Sequence, residues 1–342
     1  MLRDLEGRKI NVCQIPNSHI LILGKSGEGK TYFCCRRMEE EVQDGKSVII
    51  FDYSSSYSIP ELIKCKFRYV KCVRILNPFG EEVDFMFGLN GLESAALDSF
   101  VNALRVRSYY QKKLLQEAIF RVVDDTSSLT ISALMECLEE MLEENISSDS
   151  EKNIGHLLTR LAPYSDLENV RLVAGKAAEK IGASGKVTII QLSDFSELQR
   201  KFLTEFLAEM FWREVRNGYK RADIVLLDEF QNMQITPGSA LSAMLREGRK
   251  FGLGVYLSSQ FLGNYNREAV DTLMQAGNMF FFKPVQREMK FIASLIDPDE
   301  IPAWRKILQS LQVGEAVLKG RYSLNGNTRE IETPIICKVE SI

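Results

Sequence analysis

Gly24–Lys25–Ser26–Gly27–Glu28–Gly29–Lys30–Thr31 follows the apolar run His19–Leu23 and opens a stretch of helical periodicity that extends to about Gln43. A strand, a turn rich in glycine and a helix that begins with Lys and Thr make a phosphate-binding loop. Glycine lets successive backbone N–H groups turn inward around an oligophosphate, and the helix N-terminus adds the positive end of its dipole. In this pattern Lys30 reaches the β- and γ-phosphate oxygens and the Thr31 hydroxyl binds Mg²⁺. The expected ligands are ATP and Mg²⁺, with Gly24, Ser26, Gly27, Glu28, Gly29, Lys30, Thr31 and Tyr32 as nucleotide contacts.

Outward from the loop, apolar runs that end in turn or charged residues alternate with amphipathic stretches, the pattern of an α/β protein with a mostly parallel sheet. Strands are expected at Lys46–Asp52, Tyr69–Leu76, Lys186–Leu192, Ala222–Asp228, Gly254–Ser259, Met279–Phe282, Glu315–Lys319 and Pro334–Val339. Helices are expected at Phe195–Asn217, Leu241–Lys250, Glu288–Leu295 and Pro302–Leu311. Between Gly91 and Gly182 helical stripes dominate, among them Leu97, Phe100, Val101 and Leu104, then Leu134, Leu138 and Met141. The organisation predicted is an ATPase core in two parts, 1–90 and 183–342, with an all-helical subdomain, 91–182, inserted between them.

Ala222–Asp228 is an apolar run that ends in Asp228 and Glu229. In a parallel sheet that strand end lies beside the phosphate loop, where Asp228 can hold Mg²⁺ and Glu229 can polarise an attacking water. The competing reading is that the two carboxylates cap a strand and begin the next element. Further on, Leu245–Gln260 reads as a helix ending in Arg246, Arg249 and Lys250, a glycine turn, and a buried strand ending in Gln260. Gln260 can face the γ-phosphate beside the carboxylates. Arg246 and Arg249, three apart and so on one helical face, can serve a neighbouring subunit as an arginine finger; cations also favour helix C-termini for purely electrostatic reasons.

Hydrophobic residues make up 45% of the 342 and the net charge is −3, which excludes the broad basic surface of a nucleic-acid coat but not a few basic loops. No basic-then-apolar leader and no apolar run of about 20 residues occurs, so a cytoplasmic protein without membrane contact is expected. Seven cysteines without a paired CxxC spacing point to reduced thiols, and two histidines far apart argue against a structural zinc site.

The combination GKSGEGKT, VLLDE and REGRKFGLGVYLSSQ resembles the HerA/FtsK superfamily of ring-forming P-loop ATPases, RecA/FtsK-like in fold, with the HerA branch the nearest likeness. The segment VTIIQLSDFSELQRKFLTEFLAEMFW, Val187–Trp212, is similar to the one that precedes the acidic strand in that branch. The resemblance implies a homohexamer that hydrolyses ATP at subunit interfaces and drives double-stranded DNA through its pore. It implies Lys30 and Thr31 as the phosphate-loop pair, Asp228 and Glu229 as the acidic pair, Gln260 as the strand-tip sensor, and Arg249 or Arg246 as the trans-acting arginine. Asp52 matches an acidic strand end, although Tyr53–Ser–Ser–Ser departs from the usual neighbours. Only about fourteen residues precede the first core strand region, so a short form lacking the family's N-terminal β-barrel is expected. The family's partners include nucleases and, in anti-phage defence, sirtuin-like NADases. Two other classes stay open: an ATP-dependent assembly scaffold for an effector, and a small-molecule P-loop kinase. Lys176, Lys180 and Lys186 are either DNA contacts or an ordinary solvated face.

Overall fold

The computed structural model describes residues 2–13, 18–88, 92–144, 148–175, 186–218 and 222–340. The chain divides into two compact units, Met1–Arg74 with Gly182–Ile189 and Ala222–Ile342, and Ile75–Ile181 with Ile190–Arg221.

In chain order the first unit opens with β1 (Leu2–Asp4), β2 (Lys9–Val12), β3 (Ile20–Leu23), α1 (Lys30–Gln43), β4 (Val48–Asp52) and α2 (Ile59–Lys64), and β5 (Val73–Leu76) leads out of it. The second unit holds β6 (Val83–Gly88), α3 (Leu92–Ala103), α4 (Tyr109–Thr126), β7 (Ser128–Leu129), α5 (Ile131–Glu143), α6 (Ser148–Leu161) and β8 (Val170–Gly175). After β9 (Val187–Gln191) it resumes with α7 (Glu197–Arg216). The first unit is then completed by β10 (Ile224–Asp228), α8 (Ala240–Glu247), β11 (Gly254–Ser259), α9 (Arg267–Leu273), β12 (Asn278–Phe282), α10 (Met289–Ile296), α11 (Ile301–Ser310), β13 (Glu315–Lys319), β14 (Tyr322–Leu324) and β15 (Ile335–Val339).

The main sheet runs β14-β2-β1-β15-β13-β12-β3-β11-β10-β4-β9-β5. Its centre is parallel: β3 pairs with β11 on one side and β12 on the other, β11 with β10, and β10 with β4. These strands read ILIL, GVYLSS, NMFFF, IVLLD and VIIFD, and every residue in them is buried. Near-continuous apolar runs are what a parallel strand covered on both faces requires. From β12 outward the sheet turns antiparallel through β13, β15, β1, β2 and β14. Three of those, β1, β2 and β14, are three or four residues long and carry too little period to read in sequence.

In the second unit α4, α5 and α6 pack through Leu115, Ile119, Leu134, Leu138, Ile154 and Leu157, all fully buried. Helix α7 starts at a capping box in which the Ser196 hydroxyl accepts from the Gln199 N–H and the Gln199 side chain accepts from the Ser196 N–H. Its Phe202 stacks on Tyr164 at 4.1 Å and its Phe206 meets Phe100 of α3 at 4.8 Å. The stretch expected to be all-helical is not. Strands β7 and β8 fall inside it and join β6 in a separate three-stranded sheet, β6-β8-β7. Strand β8 is six residues long and its parallel partner β6 lies across four helices in sequence, a pairing that no local period announces.

His19 enters β3 and sits in the core with its Nδ1 accepting the Val255 N–H at 3.1 Å. Burial pushes this imidazole down to about 4. The unfolded chain therefore takes up a proton between the ordinary histidine value and about 4 while the folded chain does not, and stability falls as pH drops through that window. Between pH 7.5 and 5 His19 alone removes about 2 kcal/mol. Urea unfolding at both pH values should show a loss smaller by that amount in His19→Gln than in the unsubstituted protein.

Candidate functional site

The carboxyl ends of β3, β4, β10, β11 and β12 deliver Gly24, Asp52, Asp228, Ser259 and Phe282 to one edge of the sheet. The loop after β3 is fixed there by its backbone. Gly24 N–H donates to the Ser259 carbonyl at 3.2 Å, Lys25 N–H to that of Lys283 at 2.9 Å, and Gly314 N–H to that of Glu28 at 3.0 Å. Contact is close enough to demand glycine. A Cβ on Gly24 would lie 2.5 Å from the Phe282 Cβ, and one on Gly29, at φ +104°, would be strained and crowd the Gly314 backbone at 3.2 Å.

Lys30, the first residue of α1, is buried and curls back into the loop, its Nζ donating to the Gly24 carbonyl at 2.6 Å and the Lys25 carbonyl at 3.0 Å. Burial pulls its pKa down, and the Glu229 and Asp228 carboxylates act in the opposite sense. A buried cation ringed by glycine backbone at a helix N-terminus fits an oligophosphate. Thr31 follows, half-buried, and Ser26 and Gly27 are exposed at the loop's crest. Glu28 is buried and pairs with Lys25 at 2.9 Å, so it braces the loop. Tyr32 donates its hydroxyl to the Glu340 carbonyl at 3.2 Å and carries the Arg36 guanidinium 5.1 Å over its ring.

Asp228 is buried, and its Oδ2 accepts from the Ser54 hydroxyl at 2.7 Å. Burial pushes it up to about 7, the Glu229 charge adding to the rise and the Ser54 hydrogen bond opposing it. Glu229 adopts a left-handed backbone, φ +51°, that turns its side chain off the strand line. Its Oε1 accepts from Gln260 Nε2 at 2.8 Å and its Oε2 from Gln231 Nε2. Gln231 in turn accepts from the Ser259 hydroxyl at 2.6 Å. The carboxylate is thus held between two amides, one of them at the tip of β11. Among the described residues no group of three or more His, Cys, Asp or Glu side chains could hold a metal unaided. Mg²⁺ takes one or two protein oxygens and completes its shell with phosphate and water; the Thr31 hydroxyl and Asp228 would be those oxygens. With ATP and Mg²⁺ bound, the site would contain a γ-phosphoryl group open to attack.

Ser54, Gln231 and Ser259 were not singled out from sequence. The altered Tyr53–Ser–Ser–Ser stretch was the signal for Ser54, and Gln231, two residues past Glu229, lay in plain view. Arg246 and Arg249 do not share one α-helix. Helix α8 ends at Glu247 and Arg249 stands in a 3₁₀ turn, Gly248–Phe251. Both arginines are exposed and neither makes an ion pair with a described residue. Lys186 is exposed, and Lys176 and Lys180 lie outside the described residues.

Fold and site together define a P-loop ATPase. The family model of the HerA helicase central domain matches residues 7–211, and the chain belongs to that family, within the HerA/FtsK superfamily. It is 23% identical to the DNA double-strand break repair helicase HerA of Saccharolobus solfataricus over 98% of this chain and 67% of that protein. It is likewise 23% identical to HerA of Sulfurisphaera tokodaii, over 94% of this chain and 64% of that one. The chain thus spans about two thirds of the length of these relatives. In fold it is similar to VirB4 of Thermoanaerobacter pseudethanolicus, with TM-score 0.70 and 17% identity over 99% of this chain and 95% of that one. It is also similar to the plasmid coupling protein TrwB, solved with an ATP analogue, with TM-score 0.64 and 14% identity over 94% and 86%. No described helix is long and apolar enough to cross a membrane.

Asp52 is fully buried, and its two oxygens accept from the Ser56 and Tyr57 N–H groups at 2.9 and 3.0 Å, so it organises the loop that presents Ser54. Asp52→Asn leaves one of those donors unpaired and should cost about 1–3 kcal/mol in urea unfolding. The Mg²⁺ dependence of nucleotide affinity, followed with a fluorescent ATP analogue, should stay within about twofold. A large change there would make Asp52 a metal ligand instead.

Proposed function

We propose that the chain assembles into a homohexameric ring that hydrolyses ATP at subunit interfaces and moves double-stranded DNA. The observation that carries this reading is the clamp on Glu229. A carboxylate held by Gln260 and Gln231 beside a buried Lys30 is poised to take a proton from an attacking water, and movement of β11 would change its orientation. Lys30 and Thr31 hold the phosphates and, with Asp228, the Mg²⁺. The loop residues Gly24, Ser26, Gly27, Glu28 and Gly29 supply backbone contacts, and Tyr32 borders them.

Arg249, or Arg246 at the end of α8, reaches the γ-phosphate bound by the adjacent subunit. Their exposure without an ion pair supports this, because a finger has to be free to meet a neighbour. In the same reading the core is built from 1–90 and 183–342 around an insertion at 91–182. By likeness to the family, the ring works in the cytoplasm with an effector nuclease or NADase in anti-phage defence.

Solution mass with ATP and Mg²⁺ should lie near six protomers, and Lys30→Ala should lose nucleotide binding. Glu229→Gln should bind nucleotide normally and hydrolyse it at least about 10²-fold more slowly. Arg249→Ala or Arg246→Ala should assemble but turn over poorly, and mixing with Lys30→Ala should restore part of the rate through interfaces that combine the intact halves. A chain that stays monomeric under every condition sinks the shared-site reading.

A further inference from the structure

The α3–α4 corner of the second unit carries Arg105–Val–Arg107–Ser–Tyr109–Tyr110–Gln–Lys112–Lys113, with no acidic residue before Glu117, in a chain whose net charge is −3. The fold spends specific contacts on shaping this corner. Arg105 has a left-handed backbone, φ +55°. Arg160 of α6 donates from Nη1 to the Leu104 and Arg105 carbonyls at 2.9 and 3.0 Å. Ser108 caps α4 by accepting the Gln111 N–H. Val106, between the two arginines, is buried and anchors the turn.

What this rigid corner presents is unusual for a surface. Tyr109 and Tyr110 are 75% and 69% exposed, their rings meeting edge to face at 5.9 Å, so that flat apolar faces stand in water. Arg105, Arg107 and Lys113 are exposed, and none of the four cations makes an ion pair with a described residue. Elsewhere in the same unit Arg121 pairs with Glu117 and Glu144, and Arg171 with Glu82.

We infer that this corner is a contact site for single-stranded nucleic acid. Cations without carboxylate partners suit a phosphate backbone. Exposed aromatic rings beside them suit unpaired bases, which stack on such faces whatever their sequence; bases inside a duplex keep theirs covered. Tyr110 and Lys113 also line the adjoining groove of α4, α5 and α6, where Arg121 pairs with Glu117 and Glu144. A membrane surface would accept the same cations, and vesicle binding is the outcome that separates it from a nucleic acid. The inference rests on the proposed function only for the class of ligand. The binding assay needs no ATP, so the two readings fail separately.

The test is fluorescence anisotropy of the full chain with labelled oligo-dT of about 30 nucleotides and with a duplex of equal length, across a salt series, with ATP turnover and thermal melting recorded on the same preparations. Tyr109→Ala/Tyr110→Ala should weaken oligo-dT binding by at least about 30-fold and duplex binding far less, while Tyr109→Phe/Tyr110→Phe keeps the affinity. Arg107→Ala/Lys112→Ala/Lys113→Ala should reduce the slope of log affinity against log salt by about 2. The inference is overturned if the unsubstituted chain does not bind oligo-dT, or if the double alanine variant melts normally and binds it as tightly. Equal loss on single strand and duplex, or an effect confined to phosphatidylserine vesicles, also overturns it.

Discussion

Strand β3 lies hydrogen-bonded between β11 and β12, and the rest of the first unit depends on that placement. It makes Gly24 emerge against the Phe282 backbone and beneath the Ser259 carbonyl. The loop therefore cannot relax away from the sheet, and α1 has to start where Lys30 points back into it. Because β10 is the next strand beyond β11, Asp228 and Glu229 arrive one position along the same edge. Parallel strands release their carboxyl ends on one side, so residues more than two hundred positions apart become one site without any of them being drawn out of its element.

The site sets charge against burial. Asp228 and Asp52 are both buried, and burial pushes them up to about 7 and about 6. Lys30 offsets part of the rise at Asp228, and the Ser54 hydroxyl there and the loop N–H groups on Asp52 oppose it further. An arrangement of this kind is costly unless something completes it. A divalent cation with a polyphosphate would do so, since it brings positive charge to the carboxylates and negative charge to the lysine. Glu229 is spared burial of this depth: its left-handed backbone swings it to the half-buried margin, where the Gln260 and Gln231 amides hold its carboxylate.

Much of this was legible in the residues. Helix α1 runs from Lys30 to Gln43 as its periodicity indicates, and β11 and β13 fall on the expected residues. The five buried strands were readable because a strand covered on both faces must be apolar throughout. Short antiparallel strands such as β1 and β14 were not, because a run of three residues has no period. The sheet formed by β6, β8 and β7 escaped for a related reason: its hydrogen bonds join segments separated by helices, and the flanking helical stripes overwhelm its signal. The helix expected to continue to Lys250 stops at Glu247, just before Gly248, a residue whose own propensity disfavours the α-helix.

By itself the sequence determined the chemistry available: a glycine-rich loop with Lys30 and Thr31, a strand ending in two carboxylates, and a strand ending in an amide. These are properties of residue type and spacing along a single element, which short-range sterics and hydrogen bonding dictate. Tertiary structure alone decided which groups meet. The pairing of Glu229 with Gln260 and Gln231, the Ser54 hydroxyl on Asp228, and the conversion of Asp52 into a loop brace all depend on strand order and register. Those are settled by the burial of whole strands against one another, and no local pattern encodes them.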